Sequence, residues 1–342
     1  MLGETRADIW KRRATSVPAV YVGFLAMVVT APIWVLVSLC VDLANSFRTT
    51  TLRAASFLTV YLGCEVVGVT GSVGLWLLSA VGTSKASRHE AHFRRHLALQ
   101  RWWAGTLLKV AIRVFRLKIR ADGLEALERP MILMIRHASI ADALLANEFI
   151  GMPHGIHLRY VMKRELLIDP CLDIVGHRLP NYFIDRESDD PSSELAGMVQ
   201  LFSGLRENEG VLIYPEGTRF TEGKRERVIE RFSEQGRSEM VARARALRHT
   251  LPPRLGGSLA LLESNPGLDV VFCAHTGFET AGGPTDLLDG SMLDREIAVR
   301  FWRVPLADVP VETSARVTWL FAQWQQIDDW IESKKAQTGE GR

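Results

Sequence analysis

The chain has 342 residues, enough for one large domain or two ordinary ones. Its 41 Lys and Arg residues nearly balance 39 Asp and Glu residues, so the net charge of +2 excludes a strong global field for nucleic acid. The four cysteines are far apart and without paired spacing, which argues against a disulfide framework and a zinc site; they are Cys40, Cys64, Cys171 and Cys273. A reduced compartment is expected for the main part of the chain.

Excess apolarity is concentrated before residue 83, and two runs there predict membrane helices. Residues 17–41 carry no charge, and residues 54–82 are broken only by Glu65. About 20 apolar residues suffice for a helix to cross a bilayer core. Basic residues flank both outer ends, from Arg6 to Arg13 and after Lys85, so both ends are expected in the cytoplasm. We therefore predict a membrane hairpin over residues 1–83, either fully spanning or dipping into one leaflet.

Glu65 is the one charged residue within the second apolar run. An ionisable group inside a membrane segment is costly and is a functional candidate. The alternative is a packing role, because the glycines at 63, 68, 71 and 74 allow close approach of other elements that could bury the carboxyl group.

Residues 84–113 predict a basic amphipathic helix at the membrane surface. Trp102 and Trp103 accompany its Arg and His residues, a composition that suits an anionic lipid interface. Packing against the main domain is the alternative. Three histidines, His89, His92 and His96, do not predict a metal site, because no cluster of carboxylates or cysteines accompanies them.

From residue 114 onward, short apolar runs alternate with helical patterns, which predicts an α/β fold with an open mixed sheet covered by helices. Strands are expected at 115–119, 131–135, 160–162, 182–184, 211–214, 270–274 and 297–302. Helices are expected at 139–150, 192–207 and 313–333, with a charged helical excursion at 222–248. The main domain would extend over 114–335, and 336–342 would be a tail.

A possible catalytic pair follows the apolar run at 131–135. His137 precedes a helix start in which Ser139 would be the N-cap and Asp142 would lie in the first turn. Because His137 stands outside the helix, its imidazole can fold back onto the carboxylate and become an effective general base. Asp142 could instead only cap the helix.

Two other strand ends carry arginines that suit a phosphate. Asp185 and Arg186 follow one strand, and Pro215-Glu216-Gly217-Thr218-Arg219 follows another. Arginine offers a permanently charged, forked donor, and ligands of open sheets gather outside strand ends. A later proline turn, "LPPRLGG", adds Arg254.

The order HxxxxD, FIDR, PEGTR and a late proline-arginine turn resembles the glycerolipid acyltransferases of the 1-acyl-sn-glycerol-3-phosphate (lysophosphatidic acid) acyltransferase type. "MKRELL" and "FTEGK" extend the resemblance, and the tail "FWRVPLADVP" looks like the lysocardiolipin and lysophospholipid acyltransferase subgroup. One residue departs from the family pattern: Arg136 stands where many members have Asn before the histidine, which puts the tuning of His137 in doubt.

The resemblance implies transfer of an acyl group from acyl-CoA to the hydroxyl of a lysophospholipid, with phosphatidic acid as the expected product. His137 and Asp142 would be catalytic. Phosphate binding would fall to Glu216, Gly217, Thr218, Arg219 and Arg186, with Arg136 and Arg254 as further candidates. No metal or cofactor is implied, and acyl-CoA, lysophospholipid and the bilayer are the expected partners, without nucleic acid. The catalytic domain would lie on the cytoplasmic side of a bacterial inner membrane or an equivalent one.

Other functions that use the same motifs stay open at this point. They are acylation of another lysophospholipid in remodelling, transfer independent of CoA, hydrolysis by the same pair, and a non-catalytic lipid-binding relative.

Overall fold

The computed structural model describes residues 5–45, 49–79, 84–139, 141–185, 190–279 and 284–338. Its first part is helical, with α1 at Arg6–Val29, α2 at Ala31–Ala44, α3 at Thr50–Ser79 and α4 at Lys85–Phe115. Thr5 and Asp8 cap the start of α1 with reciprocal hydrogen bonds. Helix α4 packs along α3, so the four helices form one layer beside the rest of the chain.

The predicted continuous helix over 17–41 is wrong. Helices α1 and α2 meet at Thr30 with a bend of 71°. Pro32 lies in the first turn of α2, where it has no N–H for the carbonyl of Val28 and cannot continue α1. Within the described part of the chain, α3 alone has the length and composition of a membrane span, and α1 with α2 passes only as a bent pair.

Seven strands form one mixed sheet in the order β1-β7-β6-β2-β5-β3-β4. They are β1 at Lys118–Asp122, β2 at Met131–Ile135, β3 at His157–Lys163, β4 at Tyr182–Ile184, β5 at Glu209–Ile213, β6 at Asp269–Thr276 and β7 at Glu296–Val304. Only β6 and β7 pair antiparallel. The predicted α/β class and mixed sheet are therefore confirmed. The first strand begins three residues later than predicted, because α4 continues through Phe115 and ends at Arg116 in the left-handed conformation.

The remaining helices cover the sheet. They are α5 at Asp142–Ala146, α6 at Pro170–Gly176, α7 at Pro191–Val199, α8 at Glu222–Glu234, α9 at Ser238–Ala246, α10 at Leu255–Glu263 and α11 at Thr313–Thr338. The helix predicted over 139–150 is shorter, and a π-turn at Asn147–Gly151 follows it. The helix predicted over 192–207 ends at Val199 in a 3-10 turn. The charged excursion at 222–248 is two helices, α8 and α9, separated by a turn at Gly236.

The core lies on both faces of the sheet. Every residue of β2 is buried, and alternate side chains point to opposite faces. Leu133 packs with α4 and α5 on one face, and Met134 packs with α7, α10 and α11 on the other. Since β2, β5, β3, β4 and β6 run in the same direction, their carboxyl ends share one edge, where ligands of such sheets bind.

Glu65 has the packing role. Its side chain is buried between α3, α4 and α6, where Trp103 Nε1 donates to Oε1 over 2.8 Å and the Cys171 amide donates to Oε2 over 3.0 Å. Gly68 of α3 lets α6 come this close, since a Cβ at position 68 would lie 2.4 Å from Cys171 Sγ. Protein donors therefore satisfy the carboxyl group where the N-terminal helices meet the sheet domain.

Candidate active site

The structure brings His137 and Asp142 together at the end of β2. His137 Nδ1 lies 3.0 Å from Asp142 Oδ2, and the same oxygen accepts the amides of Ala138 at 2.7 Å and Ser139 at 2.8 Å. Asp142 is fully buried, whereas the His137 side chain is 16% exposed. Asp142 Oδ2 therefore contacts both the imidazole and the backbone at the helix start. A single oxygen atom serves both of the roles predicted for Asp142.

Ser139 is not the N-cap that its sequence position predicts. Its hydroxyl accepts the amide of Ala141 at 3.0 Å, and the helix begins only at Asp142. Residues 137–139 instead wrap around the Asp142 carboxylate. This tight turn is what lets side chains five positions apart meet.

Glu216 ties three loops together at this site. Its Oε1 accepts the amide of His137 at 2.8 Å and its Oε2 accepts the amide of Leu251 at 2.9 Å, while the amide of Phe220 donates to the His137 carbonyl over 3.1 Å. Burial raises the pKa of Glu216 to about 8, although the charge of Arg136 and the two amides oppose that shift. Because backbone donors occupy both oxygens, Glu216 shapes the site, and its predicted direct contact with phosphate is not retained.

Gly217 forms the turn that follows Glu216. Its φ of 70° favours glycine, and its amide donates to the Tyr214 carbonyl over 2.8 Å. Arg254 lies across it, so that a Cβ on Gly217 would be 2.8 Å from Arg254 Cδ and Nε. The Arg254 amide also donates to Pro215 O over 2.8 Å, which brings the late proline turn onto the PEGTR turn.

Basic groups gather around the same turn. Arg219 is half-buried, and its Nη1 is buried without a hydrogen-bond partner among the described residues. Lys224 Nζ donates to Thr218 Oγ1 and to the Arg219 carbonyl, each over 3.0 Å. A buried guanidinium nitrogen without an acceptor indicates a place for an anion. Lys224 was not predicted as a site residue, although it belongs to the quoted "FTEGK" block.

Arg186 lies outside the described residues. Its neighbour Asp185 follows β4 and pairs with Arg164 at 2.7 Å. A phosphate role for Arg186 stays a prediction.

Tyr214 is a site residue that the sequence did not indicate. Its ring packs against the His137 ring, with centroids 4.6 Å apart and planes at 40°. Burial, reinforced by the charge of Asp142, raises the pKa of Tyr214 well above its usual value, so the phenol is neutral. The only signal was its place directly before PEGTR, and periodicity does not show which face a strand-end residue takes.

The side chain of Arg136 lies inside the protein. It is fully buried; Nη1 donates to His275 O and to Glu279 Oε1, each over 2.6 Å, and Nη2 donates to His249 O over 2.9 Å. Burial alone would raise the pKa of Glu279, but the charge of Arg136 lowers it well below its usual range. Direct phosphate binding by Arg136 is therefore not supported, and the residue instead holds the segments after β6 and before α10 beside the His137 loop.

Residues 118–253, which include the His137–Asp142 pair and the turn at Gly217, match the family model described as Acyltransferase. The human 1-acyl-sn-glycerol-3-phosphate acyltransferase delta is 26% identical over 245 residues, which are 68% of this chain and 59% of that protein. Lysocardiolipin acyltransferase 1 of Danio rerio is 26% identical over 185 residues, 49% of this chain and 45% of that protein. The chain thus spans less than two thirds of the length of these curated relatives.

A solved structure has the same fold. The 1-acyl-sn-glycerophosphate acyltransferase PlsC of Thermotoga maritima superposes with a TM-score of 0.54 at 12% identity, covering 84% of this chain and 98% of that one. The matched family model and the curated relatives support the 1-acyl-sn-glycerol-3-phosphate acyltransferase family that the motifs predicted.

Proposed function

We propose that this protein transfers a fatty acyl group from acyl-CoA to the free hydroxyl of a lysophospholipid, with 1-acylglycerol-3-phosphate as acceptor and phosphatidic acid as product. The observation that carries the proposal is the His137–Asp142 contact of 3.0 Å beside a turn in which Arg219 has a buried nitrogen with no hydrogen-bond partner among the described residues. A base and an anion site lie side by side at one edge of the sheet.

The proposed chemistry uses the imidazole as a proton carrier. Because Nδ1 faces Asp142, Nε2 is the nitrogen that takes the proton from the acceptor hydroxyl as its oxygen attacks the thioester carbonyl. The carboxylate 3.0 Å from Nδ1 stabilises the imidazolium that forms. Collapse of the tetrahedral intermediate breaks the carbon–sulfur bond, and the proton passes to the departing CoA thiolate. The thioester is already activated, so this route needs neither a metal nor a cofactor.

The basic turn supplies the acceptor site in this proposal. Arg219 would bind the phosphate with its forked donors, and Lys224 and Arg254 would add positive charge from α8 and the late proline turn. At Gly217 and Thr218 the phosphate would come close to the backbone of the turn. Arg186 remains a proposed second phosphate ligand.

An apolar cavity is lined in part by Ala143 and Leu144, which directly follow Asp142 in α5, and we propose that it receives part of the acyl chain. Leu144, Tyr160, Leu172 and Val175 are among its lining residues. Cavities lined mostly by apolar side chains with few polar groups suit such ligands.

The N-terminal helices are the proposed membrane attachment. Helices α1 and α2 expose large apolar side chains, among them Val22, Leu25, Val29, Ile33 and Leu36. Exposed apolar surface of this extent marks a membrane or protein contact. With the basic α4 beside it, the arrangement favours a catalytic domain held at the cytoplasmic face of a bacterial inner membrane or its equivalent, where acceptor and product reside.

The decisive experiment incubates the purified full-length protein with labelled oleoyl-CoA, with and without lysophosphatidic acid. We expect CoA release that depends on the acceptor and is lost in His137→Ala, while His89→Ala, an exposed histidine on α4, keeps the wild-type rate. Acceptor-independent release would instead show a hydrolase, and transfer from phospholipid without acyl-CoA a transacylase. Absence of turnover with every donor would show a lipid-binding relative.

A panel of acceptors tests the head group. The tail motif and the similarity to a lysocardiolipin acyltransferase make lysocardiolipin and lysophosphatidylinositol the matched comparisons. If kcat/KM is higher with either of these lipids than with lysophosphatidic acid, that lipid becomes the proposed acceptor.

A further inference from the structure

A second histidine, His275 of β6, lies against the proposed catalytic pair. Its side chain is fully buried, and its Nε2 is 2.9 Å from the carbonyl oxygen of Arg136 and 3.6 Å from Asp142 Oδ1. A carbonyl oxygen can only accept, so Nε2 carries the hydrogen and donates it to Arg136 O. The N–H edge of His275 therefore lies between the carbonyl that precedes His137 and the carboxylate that orients it.

The two oxygens of Asp142 have unequal surroundings. Oδ2 receives His137, Ala138 and Ser139, whereas Oδ1 is buried without a hydrogen-bond partner among the described residues. A buried carboxylate oxygen without a donor is costly to retain. At 3.6 Å the His275 N–H is too far for a hydrogen bond, but its positive edge still acts on Oδ1 electrostatically.

The Nδ1 of His275 is also buried and has no hydrogen-bond partner in the described part of the chain. A doubly protonated ring would leave a buried N–H without an acceptor, which is unfavourable. His275 consequently does not replace His137 as proton carrier, since its Nε2 already serves Arg136.

We infer that His275 is a positioning residue for the pair. Its Nε2–H fixes the carbonyl directly before His137 and presents a positive edge to Asp142 Oδ1, so that Oδ2 stays directed at His137. The inference rests on the proposed catalytic roles of His137 and Asp142. His275 lies 138 positions after His137 in sequence, and it belongs to none of the motifs that indicated the site.

The test compares His275→Leu, which removes the donor, with His275→Gln, whose amide nitrogen can occupy the place of Nε2, and with His275→Asn, which is shorter. We expect His275→Leu to lower kcat for acyl transfer by about 10- to 100-fold while the KM values of both substrates change by less than about twofold. His275→Gln should recover most of the rate, and His275→Asn should not. If His275→Leu does not fold, the Gln and Asn pair decides, and equal rates for these two would overturn the inference.

A double variant separates action through Asp142 from general damage to the fold. In an Asp142→Asn background, His275→Leu should lower kcat by a smaller factor than in the wild type, because the carboxylate has gone and only the hydrogen bond to the Arg136 carbonyl remains to be lost. Equal losses in both backgrounds, or a wild-type rate in His275→Leu, would refute the role. His96→Gln is the matched control, since His96 is fully buried in α4 away from this site and should keep the wild-type kcat. Failure of the proposed function would be seen separately, as an active His137→Ala protein.

Discussion

Asp142→Asn is the perturbation that the site geometry defines best. The asparagine oxygen can still accept the amides of Ala138 and Ser139 and the Nδ1 hydrogen of His137, so shape and fold should be kept. What is lost is a full negative charge 3.0 Å from His137 Nδ1. At an effective dielectric constant of about 20, that charge stabilises an adjacent imidazolium by about 5 kcal/mol.

This magnitude predicts a fall in kcat of about 10²- to 10⁴-fold, because part of the electrostatic gain is present only in the transition state. A purely capping role for Asp142 predicts a different pattern, with a loss of about 0.5–2 kcal/mol of stability and an almost unchanged rate. The assay therefore records CoA release under saturating substrates together with the midpoint of thermal unfolding for each protein.

Asp269→Asn is the matched control. Its carboxylate also accepts a backbone amide, that of Leu306 at 2.9 Å, but it lies at the opposite end of β6 from the site. We expect this variant to keep the wild-type kcat. Retention of more than a tenth of wild-type kcat in Asp142→Asn would refute the electrostatic role and leave only capping.

Three further predictions follow from other parts of the structure. Arg219→Lys keeps the charge but loses the forked pair of N–H donors, so the apparent KM for the lysophospholipid should rise about tenfold or more, with kcat less affected. A rise confined to the KM for acyl-CoA would instead assign Arg219 to the donor site. Arg136→Asn should destabilise the fold by about 3 kcal/mol in thermal unfolding, because it leaves the Glu279 carboxylate without its cationic partner. Adding Glu279→Gln should restore part of that loss. Unchanged unfolding of Arg136→Asn would contradict a structural ion pair. Hydrogen bonds from His157 and Arg159 outweigh burial and lower the pKa of Glu209 to about 2, so its contribution of about 3 kcal/mol is present above pH 4.5 and lost as the pH falls towards 2. Glu209→Gln should therefore flatten the acid limb of the stability curve, and parallel curves for the two proteins would exclude this contribution.

Much of the sheet could be predicted because its strands are short apolar runs between polar turns. Each of the seven strands overlaps its predicted range, although β3 begins three residues earlier than predicted and β5 two residues earlier. The β1 strand begins three residues later, since nothing in its composition marks the point at which α4 ends at Arg116. Apolar composition alone does not show the bend at Thr30, because a run of apolar residues has the same composition whether it forms one helix or two. Pro32 carried the signal, since it cannot donate to the preceding turn.

The site was only partly predictable, because some of its residues are far apart in the sequence. His137 and Asp142 are five positions apart, so local turn geometry alone brings them together. Tyr214, Lys224 and His275 reach the site from other strands and helices, and one sequence does not show which side chains of separate elements meet.

The supports of the His137 loop come from remote parts of the chain, and this has a consequence for the newly made protein. Arg136 bonds Glu279, which lies 143 positions later. At roughly 5–20 residues per second of synthesis, about 7–30 s separate the appearance of these two residues. The apolar helices α1 to α3 emerge from the ribosome first and can meet lipid during that interval, while the loop still lacks its support. In the proposed membrane attachment, insertion of α1 to α3 can therefore come before the site at the end of β2 is complete.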